Sequence, residues 1–136
     1  MYQTPNIPFG DVIYKREEWM AEGKPIKLKR DSYLAERGGS AKLVDVICAK
    51  CSNRVLLYQK DGVGWLKRCY LNRIVGPEEY AELQNKGLRV ETMPYLICQK
   101  CKSVIGTPIL HKDGRLAFLL RRGTFIRKQN KTVKYR

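Results

Sequence analysis

Histidine occurs once in the 136 residues, at His111. A single imidazole excludes a histidine-rich metal site, and any acid–base relay would have one candidate. That candidate stands beside a Lys-Asp-Gly turn, where a surface residue is the ordinary reading. Acidic residues are also scarce, 13 against 27 basic ones. No paired-carboxylate motif is present, because Glu78-Glu79 reads as helix-start chemistry. No glycine loop of the kind that cradles phosphate is present either, so catalysis is not expected. Long apolar runs are missing: none approaches the roughly 18 residues a membrane-spanning helix requires. No membrane partner is expected. The opening MYQTPNIPFGDVIYK lacks the charged-then-apolar pattern of a secretory signal, so a cytoplasmic location is expected.

What the sequence does have is positive charge, unevenly placed. The net charge is +14 and the isoelectric point about 9.8. Residues 102–136 alone hold 10 basic groups and a single acidic one, Asp113. A basic excess of this size points to a polyanionic partner, most often nucleic acid.

The length fits one domain with a modest core. Residues 1–43 are punctuated by Pro5, Pro8, Gly10, Gly23, Pro25, Gly38 and Gly39. They read as an irregular N-terminal arm with two short helices. One spans Glu17–Glu22, and the other spans Ser32–Arg37, capped by Asp31 and stopped at Gly38. Trp19, Met20, Tyr33 and Leu34 are its expected anchors. Residues 44–128 read as a β domain, and 129–136 as a basic tail. Within the β domain, GPEEYAELQNKG predicts one short helix from about Pro77 to Lys86, with Tyr80 and Leu83 on its buried face.

One phrase is spelled twice. VICAKCSNRVLLYQKDG begins at Val46, and LICQKCKSVIGTPILHKDG begins at Leu96. Each places an apolar pair before Cys-x-Lys-Cys, then a β-favouring run, then Lys-Asp-Gly. Asp-Gly between such runs is a hairpin signal. Arg54–Gln59 is therefore expected to turn at Asp61-Gly62 and return as Trp65–Ile74. Thr107–His111 is expected to turn at Asp113-Gly114 and return as Leu116–Arg121, followed by a short strand at Thr124–Lys128.

The doubled phrase brings four of the five cysteines into two Cys-x-x-Cys pairs, Cys48/Cys51 and Cys98/Cys101. A turn of this kind aims two thiolates at one point, and a tetrahedral ion needs two such turns facing each other. Disulfides are disfavoured in a chain without a secretory signal, and a redox pair wants a single Cys-x-x-Cys at a helix start. One structural Zn2+ with four cysteine ligands is the expected cofactor, although rubredoxin-type iron uses similar pairs and the spacing leaves it open. Lys50, Arg54, Lys100 and Lys102 flank the ligands and could soften the charge of the site, or simply fill turn positions. Cys69, in WLKRCYLNRI, is read as a small core residue, with a reactive thiol as the alternative.

Two such pairs about fifty residues apart, each leading into β structure, resemble the β-tent group of zinc proteins. That group includes Yippee-type proteins, the ligand-binding domain of cereblon, and methionine sulfoxide reductase B. The resemblance covers about Val46 to Lys128, and Ile105-Gly106 after the second knuckle also resembles the Yippee pattern. It implies a mainly β fold with short helices, in which zinc clamps antiparallel hairpins of β-tent or zinc-ribbon type. It carries no activity, since no cysteine follows Cys101 to match the catalytic cysteine of the reductase.

These readings combine into a small, basic, non-catalytic, nucleic-acid-binding protein. RNA, including a ribosomal site, is favoured over DNA because no recognition-helix motif is visible. The expected surface comprises Lys67, Arg68, Arg73, Arg115, Arg121, Arg122, Arg127, Lys128, Lys131, Lys134 and Arg136. Phe125 and Tyr135 are placed to stack on bases. The alternatives are an adaptor that docks on an acidic protein or a ribonucleoprotein assembly, and a thiol enzyme using Cys69.

Overall fold

A computed structural model describes residues 26–133. Trp19, Met20 and the helix expected at Glu17–Glu22 lie outside the described residues, as do Lys134, Tyr135 and Arg136. The described part is mainly antiparallel β, as the sequence led one to expect. Eight strands form two four-stranded sheets. The first contains β1 (Ala41–Cys48), β2 (Arg54–Asp61), β4 (Ile74–Gly76) and β8 (Phe125–Gln129), in the order β4-β2-β1-β8. The second contains β3 (Arg68–Tyr70), β5 (Leu96–Ile97), β6 (Val104–Leu110) and β7 (Leu116–Leu120), in the order β3-β7-β6-β5.

Side-chain alternation places the cores. Along β1, Val44, Val46 and Cys48 point into the main core with Leu56 and Tyr58 of β2 and Phe118 of β7. Leu43 and Leu57 point the other way, into a smaller cluster with Leu28 and Val133. The first sheet is thus covered on both faces, which is why β1 and β2 read as nearly continuous apolar runs. Between the sheets, the buried Tyr58 hydroxyl accepts from the backbone N–H of Tyr70 at 2.8 Å, a polar tie through the apolar layer.

The short helices follow their caps. Helix α1 (Ser32–Glu36) starts at Asp31, whose carboxylate accepts from the N–H of Leu34, and Gly38 follows at φ +100°. Leu34 is buried. Helix α2 (Glu78–Ala81) continues as a 3-10 turn over Glu82–Asn85, and Tyr80 and Leu83 are buried as expected. The Tyr80 ring meets Phe118 edge-on at 5.8 Å, and its hydroxyl accepts from the N–H of Ile97.

The second Lys-Asp-Gly hairpin forms: β6 turns through Asp113-Gly114 and returns as β7, with Leu110 opposite Leu116. The strand expected at Thr124–Lys128 forms as β8, paired with β1. The first Lys-Asp-Gly does something else. Trp65–Ile74 does not return beside β2 as one strand. Residues 68–70 pair with β7 in the second sheet, Leu71–Arg73 make a 3-10 turn, and Ile74–Gly76 come back to β2. The reason lies at Gly62. Its N–H donates to Ser40 O, its φ is +73°, and a Cβ there would stand 2.7 Å from the carbonyl oxygen of Arg37. The chain is therefore hooked to the start of β1, and it leaves for the other sheet through residues 63–67. Asp61 is turned inward to Arg73.

Candidate functional site

Each Cys-x-Lys-Cys is the tip of a hairpin, β1–β2 in one case and β5–β6 in the other. The two tips share the same backbone bonds. Cys48 N–H donates to Asn53 O at 2.8 Å and Ser52 N–H to Cys48 O at 2.9 Å; Cys98 N–H donates to Ser103 O at 2.9 Å and Lys102 N–H to Cys98 O at 2.8 Å. The residue after the second cysteine is left-handed in both, Ser52 at φ +66° and Lys102 at +67°. The register matches too: Ile47 opposes Arg54 and Ile97 opposes Val104, and both ladders slip at the residue just before the leading isoleucine.

The tips face each other, and the four sulfurs all lie within 4.8 Å of one another. The leading cysteine of each tip meets the trailing one of the other: Cys48 Sγ is 3.6 Å from Cys101 Sγ, and Cys51 Sγ is 3.4 Å from Cys98 Sγ. A disulfide would need about 2 Å. Sulfurs held about 2.3 Å from one tetrahedral ion stand about 3.8 Å apart, so the spacing is that of a ligand cage. These four cysteines could hold a metal ion.

Two polar side chains complete the cage. The Ser103 hydroxyl is 3.1 Å from Cys101 Sγ and 3.6 Å from Cys48 Sγ, and the Asn53 amide nitrogen is 3.8 Å from Cys98 Sγ. Both residues stand two positions after the trailing cysteine, and each reaches the leading sulfur of the opposite tip. Their effect on the thiols is uneven. The Ser103 hydrogen bond draws Cys101 down to about 6. Burial pushes Cys51 up to about 12 and raises Cys98. Cys48 feels burial as well, but the Ser103 hydroxyl and the N–H groups of its own turn leave it lowered. Four thiolates in this volume require a cation among them. Of the flanking cations read from the sequence, Arg54 pairs with Asp45 at 2.7 Å, while Lys50, Lys100 and Lys102 are exposed. Asn53 and Ser103 escaped the sequence reading. Their matched position after each knuckle was the available signal.

The basic residues fall into two groups. Lys67, Arg121, Arg122, Arg127, Lys128 and Lys131 are exposed, and Phe125 is half-buried beside the main core. Arg121 and Arg122 sit on the strap that carries the chain from β7 to β8 past the cysteine cage. There Thr124 O accepts from Ala49 N–H, and Arg121 N–H donates to Ile105 O. Arg73 and Arg115 are different, and their placement corrects the surface role expected for them. Arg73 is 2% exposed, with its guanidinium on Asp31 at 2.6 Å and Asp61 at 2.9 Å. Arg115 lies between the rings of Tyr33 and Tyr70, 3.7 and 3.6 Å from their centroids, and pairs with Asp113. Both are internal struts. Arg68 is half-buried, with Nη1 directed to the Tyr70 hydroxyl.

Cys69 is fully buried opposite Phe118, and burial pushes its thiol well up, so it is a core residue and not an exposed nucleophile. His111 holds Asp113 at 3.0 Å and meets Tyr70 edge-on, a turn-bracing role. Among the described residues no helix is long and apolar enough to cross a membrane. No protein-family model, curated protein or solved structure matches the chain. The four-cysteine cluster in a mainly antiparallel β protein fits a zinc-binding β fold, and the β-tent likeness rests on the cysteine spacing.

Proposed function

We propose that this protein is a zinc-stabilised, non-catalytic, nucleic-acid-binding module, with RNA favoured over DNA. Zinc is the ion of choice for a closed four-sulfur cage that leaves no position for water, and such a cage serves structure. Lys67 and the strap-and-edge residues Arg121, Arg122, Lys128 and Lys131 would carry phosphate contacts. The observation that supports this reading is that all five are exposed, the last four strung as a cationic rim along the strap and the β8 edge, in a part of the chain with 10 basic groups and one acid. Affinity built this way falls as salt rises, each phosphate contact contributing about −0.7 to the slope of log K against log salt on a single strand.

The test is an anisotropy titration of a labelled single-stranded RNA at several salt concentrations. The variant Arg121→Gln/Arg122→Gln/Lys128→Gln/Lys131→Gln should bind more weakly and lower the salt slope by about 2–3, with metal content unchanged. Unaltered binding would remove the rim from the site. Absence of any binding by the native protein at low salt would turn the reading to an adaptor for an acidic protein.

A further inference from the structure

Residues 63–67 cross between the sheets and form one lip of a cleft of about 390 Å³. The lip is held from three sides. Lys60 Nζ donates to Gly62 O at 3.1 Å, Arg37 Nη2 to Val63 O at 3.1 Å, and Arg127 Nη1 to Gly64 O at 2.8 Å. Three successive carbonyls are thus each clasped by a different cation. The next residue, Trp65, is 87% exposed. An indole on a pinned backbone, turned to solvent, gains no folding stability from its position. It is instead pre-organised for a contact, and ordering costs little on binding.

The cleft is cationic. Arg37, Lys60, Lys67 and Arg68 line it, together with Arg115 held on Asp113, against one carboxylate in the lining, Asp61, itself engaged by buried Arg73. Arg68 Nε is buried with no hydrogen-bond partner among the described residues. A buried charged donor without a partner is costly to leave unmade, and an oxyanion would relieve it. Lys60 is itself buried; that burial, with Arg127, Arg37 and Lys42 around it, lowers its pKa. The local field asks for an anion, and the lip offers an aromatic face beside it.

We infer that this cleft takes one unpaired nucleotide of a single-stranded chain, its base stacked on Trp65 and its phosphate toward Arg68 and Lys67. The inference rests on the nucleic-acid reading above and adds to it a reading head that shares only Lys67 with the phosphate-contacting residues named there. A flat anionic protein surface would not need the cleft. A duplex would not offer a base to the indole, whereas an unstacked nucleotide supplies both features at once.

The probes are labelled octauridylate, octathymidylate, and an eight-unit abasic phosphodiester chain. Trp65→Ala should weaken both octamers about tenfold or more and leave abasic binding and the salt slope unchanged. Trp65→Phe should restore most of the loss. Arg68→Met should weaken the octamers and lower the slope by about one contact. Because Trp65 is exposed, the melting temperature should not move. If the native protein binds the octamers but Trp65→Ala binds them equally well, the cleft is not the site and the rim reading stands. If the native protein binds no octamer at low salt, both readings fall together. Equal losses on abasic and base-bearing chains would also overturn the stacking role.

Discussion

The hairpin tip holding Cys48 and Cys51 and the one holding Cys98 and Cys101 have the same bonds, the same left-handed position and the same ladder slip, yet beyond the cysteine end they diverge. The second unit runs down β6, turns at Asp113-Gly114 and comes back beside itself. The first runs down β2, hooks Gly62 onto Ser40 and crosses to the other sheet. The two Asp residues part accordingly. Asp113 braces its own turn through His111 and Arg115, while Asp61 receives Arg73 from beyond the crossing, twelve positions on. The likeness is local, because a turn that aims two thiolates is specified by the few residues within it. The difference is tertiary, because the path of the chain beyond a turn depends on which strand is free to pair.

This comparison can be broken first at the likeness. Cys48→Ser and Cys98→Ser occupy equivalent positions, so each should abolish stoichiometric metal binding and cost comparable stability, several kcal/mol in either case. Elemental analysis and thermal unfolding read both. A variant that lost metal while its counterpart kept it would show the cage to be lopsided.

At the divergent ends the expected effect is smaller and unequal. Arg73→Met leaves Asp61 as a buried uncompensated charge and should cost about 3 kcal/mol. Arg115→Met strands only half-exposed Asp113 and removes two cation–ring contacts, so about 1 kcal/mol is expected. Urea titration distinguishes them, and equal losses would contradict the assignment of Arg73 as the central strut.

The gentlest intervention sharpens the likeness. Ser52→Gly and Lys102→Gly relieve the same left-handed strain, so each should stabilise the protein by a similar amount, up to about 1 kcal/mol. A gain at one turn and a loss at the other would mean that the two knuckles are only superficially alike.

Legibility in the sequence divides along the same line. The cysteine pairs, the Asp31 cap, the Tyr80–Leu83 face and the Asp113-Gly114 hairpin are all set by residues close together in the chain, and each was legible. The crossing at 63–67 was not. Alternation in WLKRCYLNRI marks Cys69 as buried but cannot say that its strand joins one sheet while Ile74 joins the other. Arg73 was misread for the same reason. An arginine looks like surface until its carboxylates or rings are known, and Asp31 lies 42 positions from Arg73. The start of strand β1, Ala41–Leu43, fell inside the supposed arm, because its partner β2 comes later in the chain. Trp65 read as the start of a returning strand, since exposure on a clamped loop leaves no periodic trace.

The central claim is that two copies of one hairpin close on a single ion through four sulfurs. X-ray absorption at the metal edge of protein purified without added metal tests it directly. The account predicts one zinc per chain with four sulfur neighbours at about 2.3 Å and no nitrogen or oxygen shell. A substoichiometric metal, or a first shell containing light atoms, would contradict it.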